Sequence, residues 1–125
     1  MDKDMLVPGE DHPITVTPTG VRVVVRVNDA VIADTTKALT LTQASYPAVQ
    51  YVPLNAFDPA TLRRTDTATY CPYKGDASYR SVVTPSGEVV DAAWTYQQHY
   101  PAVAQIAGHL AFYPDRATVS VQADA

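Results

Sequence analysis

The sequence predicts a mainly β chain, a compact two-layer or barrel-like antiparallel sheet structure with one or two short helices. Two observations carry that expectation. Val, Ile and Thr supply 34 of the 125 residues against six Leu and two Met, and β-branched side chains pack well on a pleated surface. Short runs of alternating apolar and polar residues recur between Pro- and Gly-bearing turns, whereas a single stretch carries both helix end signals.

Residues 1–12 carry Asp2, Asp4, Glu10 and Asp11 with little apolar content, which predicts a mobile N-terminal arm ahead of one β-rich domain over residues 13–125. Order is expected from Pro13. Ile14 and Val16 alternate with threonines, Pro18-Thr19-Gly20 supplies turn chemistry, and Val21, Val23, Val25 and Val27 follow, so the first two strands read as a hairpin. Asn28-Asp29 tolerates positive φ and predicts a second tight turn into Val31-Ile32-Ala33. Further strands are expected at residues 39–42 and 48–52. Asp58-Pro59 has the form of an N-cap followed by proline at the first helical position, predicting one helical turn over Pro59 to Arg63.

In the second half, strands are predicted near residues 66–71, 77–83, 89–96, 109–113 and 117–122. One helix interrupts them, opened by Pro101 and closed by Gly108. The stretch Ala77 to Tyr96 should fold back at Pro85-Ser86-Gly87. Pairing Val83 with Val90 keeps one face apolar and sets Ser81 opposite Ala92, Tyr79 opposite Trp94 and Ala77 opposite Tyr96.

Composition narrows the function classes. The net charge of -4 and the lack of clustered Lys and Arg argue against nucleic acid as a partner. No apolar run approaches a membrane span, so no membrane partner is expected. Cys71 is the one cysteine; it cannot form an internal disulfide or a thiolate zinc site alone, and no cofactor or metal is expected. A reducing cytoplasm is the expected compartment. Phosphate-cradling glycine loops, H-E-x-x-H, C-x-x-C and G-x-S-x-G are all absent from the sequence.

The candidate chemistry lies in Tyr70-Cys71-Pro72-Tyr73-Lys74-Gly75-Asp76. A thiol, an amine and a carboxylate share a tight Pro/Gly loop there, and Cys71, Lys74 and Asp76 are the candidate catalytic residues. A lysine beside aromatic walls can hold an anion or, once desolvated, act as a nucleophile. Six of the eleven aromatic residues fall within 70–100, and tyrosines suit a pocket wall with polar tips. Tyr73, Lys74, Tyr79, Trp94 and Tyr96 are therefore the expected ligand-binding set, with a small anionic molecule as the partner and a homodimer left open. The competing reading is a structural or protein-interaction module in which the same residues build a core and its loop. His12, His99 and His109 lack metal-ligand spacing and read as solvated or hydrogen-bonded residues.

Four ordered motifs carry a family resemblance: Tyr51-Val52-Pro53; Cys71-Pro72-Tyr73-Lys74-Gly75-Asp76-Ala77-Ser78-Tyr79; Ala93-Trp94-Thr95-Tyr96; and Ile106-Ala107-Gly108-His109-Leu110-Ala111-Phe112-Tyr113. In that order the chain resembles a small bacterial and fungal domain of unknown function, family 427, which also carries a nucleotidyltransferase-like label. The resemblance spans nearly all of the chain after the arm and implies a compact, mainly β domain with no established reaction. Gln43 stands where the family pattern has glutamate, Leu54-Asn55-Ala56 replaces a more polar stretch, and Gln97-Gln98-His99-Tyr100 lengthens the link to Pro101. Nucleotidyl transfer needs clustered carboxylates to hold divalent metal, and none group on one predicted strand.

Overall fold

The computed structural model describes residues 13–71, 74–99 and 101–122, without the side chains of 97–99 and 101–103. The predicted arm over 1–12, together with Pro72, Tyr73 and Tyr100, lies outside the described residues. Ten strands follow in chain order: β1 Ile14–Pro18, β2 Arg22–Val27, β3 Ala30–Thr35, β4 Leu39–Gln43, β5 Val49–Pro53, β6 Leu62–Cys71, β7 Gly75–Thr84, β8 Gly87–His99, β9 His109–Phe112 and β10 Thr118–Gln122. They form two antiparallel sheets, one of seven strands in the order β1-β4-β5-β9-β8-β7-β6 and one of three in the order β10-β2-β3. Neither sheet closes into a barrel.

The helices are short and of 3-10 type, at Leu54–Ala56, Pro59–Thr61 and Pro101–Ile106. The Asp58 side chain accepts from the Ala60 amide at 2.9 Å, which is the cap its sequence position announces. The stretch opened by Pro101 is thus a six-residue 3-10 segment, with Gly108 at φ 72° beyond its end. The Asn28-Asp29 turn has φ of 49° and 65°, the two positive values that match the twist of a β-hairpin.

Two expectations are corrected. β1 and β2 are not a hairpin: β1 pairs with β4, and β2 pairs with β3 and β10. Pro18-Thr19-Gly20 turns the chain from one sheet into the other, with the Thr19 amide donating to the Ala38 carbonyl at 3.0 Å. The same residues serve a crossing as well as a reversal, because turn chemistry fixes local dihedrals and not the partner strand.

In the β7–β8 hairpin Tyr79 does face Trp94, but Val83 pairs with Glu88 and Thr84 with Gly87. The reversal is a two-residue turn at Pro85-Ser86. The extra residues are absorbed in a bulge, where Val90, Asp91 and Ala92 stand against Ser81 alone. Asp91 takes φ 51° there, and its amide donates to the Ser81 hydroxyl at 3.1 Å. A small hydroxyl residue opposite the bulge satisfies an amide the ladder has lost.

Two apolar clusters hold the layers together. One lies between the sheets and joins Val23, Val25 and Val27 to Val52, Val82, Leu110 and Phe112. The other packs on the far face of the large sheet and contains Leu41, Tyr51, Tyr79, Tyr96, Ile106 and Ala111. Ile106, from the Pro101–Ile106 segment, is fully buried in it. Burying each such side chain stabilises by about 1.5–3 kcal/mol before the entropy of ordering is counted.

Candidate functional site

The loop between β6 and β7 is closed by a turn in which the Lys74 amide donates to the Cys71 carbonyl at 3.2 Å. Cys71 pairs with Gly75, Tyr70 with Asp76 and Thr69 with Ala77. Strand alternation then fixes the faces. Thr69, Cys71, Ala77 and Tyr79 share the face that carries the aromatic cluster. Tyr70 and Asp76 take the opposite one. Lys74 is half-buried and sets its ammonium 5.3 Å from the centre of the Tyr96 ring. The ring face attracts the cation, yet loss of solvent outweighs it. Burial pushes the Lys74 amine below its ordinary value, and the nearby Cys71 thiol opposes this only in part. The ion pairs among the described residues, Arg22–Asp34, Arg63–Glu88 and Arg116–Asp115, all lie away from Lys74.

Beyond Lys74 the aromatic face continues as a hydrogen-bonded array. The Trp94 indole Nε1 donates to the Tyr51 hydroxyl at 3.2 Å. The hydroxyls of Tyr79 and Tyr113 are 2.9 Å apart, and that of Thr69 is 3.0 Å from Tyr79. The Tyr113 ring packs on Trp94 with centroids 4.7 Å apart and lies nearly parallel to Tyr79 at 6.2 Å. Burial raises the Tyr51 phenol to about 12, against the smaller opposing effect of the Trp94 donor. Tyr113 also rises to about 12, first through burial and then through its bond to Tyr79. Tyr96 is pushed up as well, by burial foremost. All three stay neutral at physiological pH and act as hydrogen-bonding groups.

A groove of about 500 Å³ opens beside this array, lined by Tyr46, Val49, Trp94, Phe112, Val119 and Val121 among others. Its origin is a divergence of two strands. β5 pairs with β9 only at Val52–Leu110 and Pro53–His109, so toward Val49 the two separate and leave one edge of β5 without a partner strand. The edge of the small sheet, through β10, closes the far wall. The volume is within the range of small-molecule sites, about 300–1,000 Å³, and the lining is largely apolar as such sites usually are.

The structure therefore brings Lys74, Cys71 and Tyr96 together, and places Trp94 and Tyr79 in the adjoining array. Of these, Trp94 borders the groove and Lys74 does not. Asp76 sits on the opposite sheet face from Tyr79. Tyr73 lies outside the described residues. His109 is held by its own turn, with Nδ1 2.9 Å from the Ala107 carbonyl, while His12 and the His99 side chain lie outside the description.

Sequence reasoning missed a second cluster. The Asp91 carboxylate accepts from the Thr65 and Thr67 hydroxyls, both at 2.6 Å. Arg116 donates to the Asp91 carbonyl at 2.8 Å and lies 5.1 Å from the Tyr113 ring centre. The alternating Thr65, Thr67 and Thr69 were the available signal, since three hydroxyls on one face of a strand mark a polar seam.

The family model described as Domain of unknown function (DUF427) matches residues 15–123. The chain belongs to the DUF427 family. A comparison with curated proteins finds no match. The DUF427 match runs from β1 through β10, so the Cys71–Lys74 turn, the aromatic array and the groove all fall inside the family's domain. No helix among the described residues is long and apolar enough to cross a membrane, and no group of three or more His, Cys, Asp or Glu among them is placed to hold a metal ion.

Proposed function

We propose that this domain binds a small molecule whose flat apolar part lies in the groove against the Trp94 indole. The supporting observation is the divergence of β5 from β9, beside which lies a concave, largely apolar site of about 500 Å³. Trp94 is only half-buried there, and its indole is held in place by the Tyr51 hydroxyl behind it. The open edge of β5 supplies backbone donors and acceptors for the polar atoms of a ligand.

The competing reading, a structural or protein-interaction module, draws on Tyr79. That side chain is buried, and its hydroxyl is engaged by both Thr69 and Tyr113, as in a residue whose work is to hold strands together. The two readings separate at the groove. Trp94 is the single tryptophan of the chain, so its fluorescence reports occupancy directly. Titration with naphthalene-2-sulfonate should change that emission saturably, and Ala48→Phe, which fills the exposed rim of the groove, should abolish the change without lowering Tm. An emission unaffected by this and other flat probes supports the structural module.

A further inference from the structure

Two arginines, Arg64 and Arg80, stand directly opposite each other where β6 pairs with β7. Strand alternation puts them on the same face as Leu62 and Val82, which also pair across these strands. Val82 belongs to the core between the two sheets, so both guanidiniums rise at the rim of that core. Arg80 is half-buried and Arg64 is exposed. None of the described ion pairs includes either one. Arg80 Nη1 donates instead to the Tyr79 carbonyl at 3.1 Å and lies 3.5 Å from the Ser78 hydroxyl. The neighbouring carboxylates are engaged elsewhere, Glu88 with Arg63 and Asp91 with Thr65 and Thr67. Asp76 shares the face of Arg80 but sits four residues back along β7, about 13 Å away. Like charges placed opposite each other across a ladder destabilise it, and a half-buried cation with no counter-charge adds to the cost. Burial foremost, and then the Arg64 cation, push the Arg80 guanidinium below its ordinary value.

We propose that Arg64 and Arg80 clamp a phosphate group between them. Guanidinium forks match the oxygens of a tetrahedral oxyanion two at a time, and a dianion supplies the negative charge that this part of the sheet lacks. Occupancy turns a repulsive cross-strand pair into two charge-assisted pairs on one anion. Arg80 is the fixed half of the clamp, held by the Tyr79 carbonyl, and the Ser78 hydroxyl beside it offers a further donor. The groove bordered by Trp94 includes neither arginine, so this site and the proposed function stand or fall separately.

The test titrates the isotope-labelled full chain with inorganic phosphate at pH 7, with sodium chloride holding the ionic strength constant. The amide peaks of Ser78, Tyr79 and Arg80 should move saturably with one Kd. Arg64→Gln and Arg80→Gln should each raise that Kd about 10-fold or more, as loss of a charge-assisted hydrogen bond implies. Methyl phosphate run in parallel separates two sources of the group: affinity at or above that of inorganic phosphate assigns a phosphorylated molecule, lower affinity the free ion. In phosphate-free buffer, urea denaturation should find Arg64→Gln at least as stable as the unaltered chain, because one of two opposed cations is gone. Peaks that do not move beyond the chloride control would overturn the proposal, as would an unchanged Kd in Arg64→Gln. A phosphate-free loss of stability in Arg64→Gln would also overturn it, since Arg64 would then be a structural residue with a partner of its own.

Discussion

The Trp94 indole donates to the Tyr51 hydroxyl across 3.2 Å, and this one bond joins β8 to β5 on the side where the intervening strand β9 has drawn away from β5. Tyr51 is fully buried and so works as a fixed peg. Trp94 is packed from the other side by Tyr113, with centroids 4.7 Å apart. The wall of the groove is therefore a side chain held on two sides and open on a third.

Tyr51→Phe deletes the acceptor while keeping the ring. The indole N–H is left without that partner in a half-dry setting, and the expected loss is about 1–2 kcal/mol. Urea denaturation measures it, and the Trp94 emission of the folded variant should shift to the red as the indole loosens toward solvent. A variant with wild-type stability and emission would show the bond to be incidental.

Which parts of this arrangement the sequence could show follows from the range of each signal. Strands β2, β3, β7 and β8 were legible because valine alternation and the Asn28-Asp29 turn are local patterns, and Tyr79 opposite Trp94 followed from keeping one face apolar. The bulge at Asp91 was not, since it depends on a two-residue turn at Pro85-Ser86 that three candidate turn residues concealed. Pro18-Thr19-Gly20 announced a turn but not that the chain would leave one sheet for another. At the site, Lys74 beside Tyr96 was foreseeable from the loop between two pairing strands. The groove was not, because it arises where β5 and β9, more than fifty residues apart in the sequence, cease to pair. Tyr51, Tyr113 and Arg116 acquire their roles only through that same tertiary geometry.

Asp91 gives the fold an acid-side dependence. Hydrogen bonds from Thr65 and Thr67 are the main cause that holds its carboxyl below the ordinary value of 3.8. A depressed folded value means that the stabilisation is complete above the unfolded pKa and is lost as pH falls below about 4. Asp91→Asn should flatten the decline of Tm in that window and lower Tm at pH 7, where the stabilisation from the ionised carboxylate is lost. A decline as steep as in the unaltered chain would assign the acid sensitivity to other carboxylates.

Arg116 links the Asp91 bulge to the aromatic array, since it donates to the Asp91 carbonyl and covers the Tyr113 ring. Replacing it with Ala removes both contacts, at a cost of about 1–2 kcal/mol. Lys at this position restores a cation over the ring without the guanidinium fork, so Arg116→Lys should recover part of the loss. Equal stabilities of Arg116→Ala and the unaltered chain in chemical denaturation would contradict this role.

Asp29 occupies a left-handed position at φ 65° in the β2–β3 turn. Glycine adopts that conformation without a Cβ penalty, and Asn-Gly is the favoured pair for such a reversal. Asp29→Gly should raise stability by up to about 1 kcal/mol, read as an increase in Tm. A decrease would mean that the Asp29 side chain contributes more than its backbone strain costs.

The proposed function requires that the opening between β5 and β9 receive a ligand. Two-dimensional NMR of the isotope-labelled chain against a panel of flat apolar fragments tests this directly, because the single Trp94 indole gives one isolated cross-peak and Val49, Val119 and Val121 line the remaining walls. The prediction is that binding fragments move the Trp94 indole peak together with the amide peaks of those three valines, with saturation at a common Kd. Fragments that bind while leaving these four peaks in place, or a panel in which none binds, would contradict it.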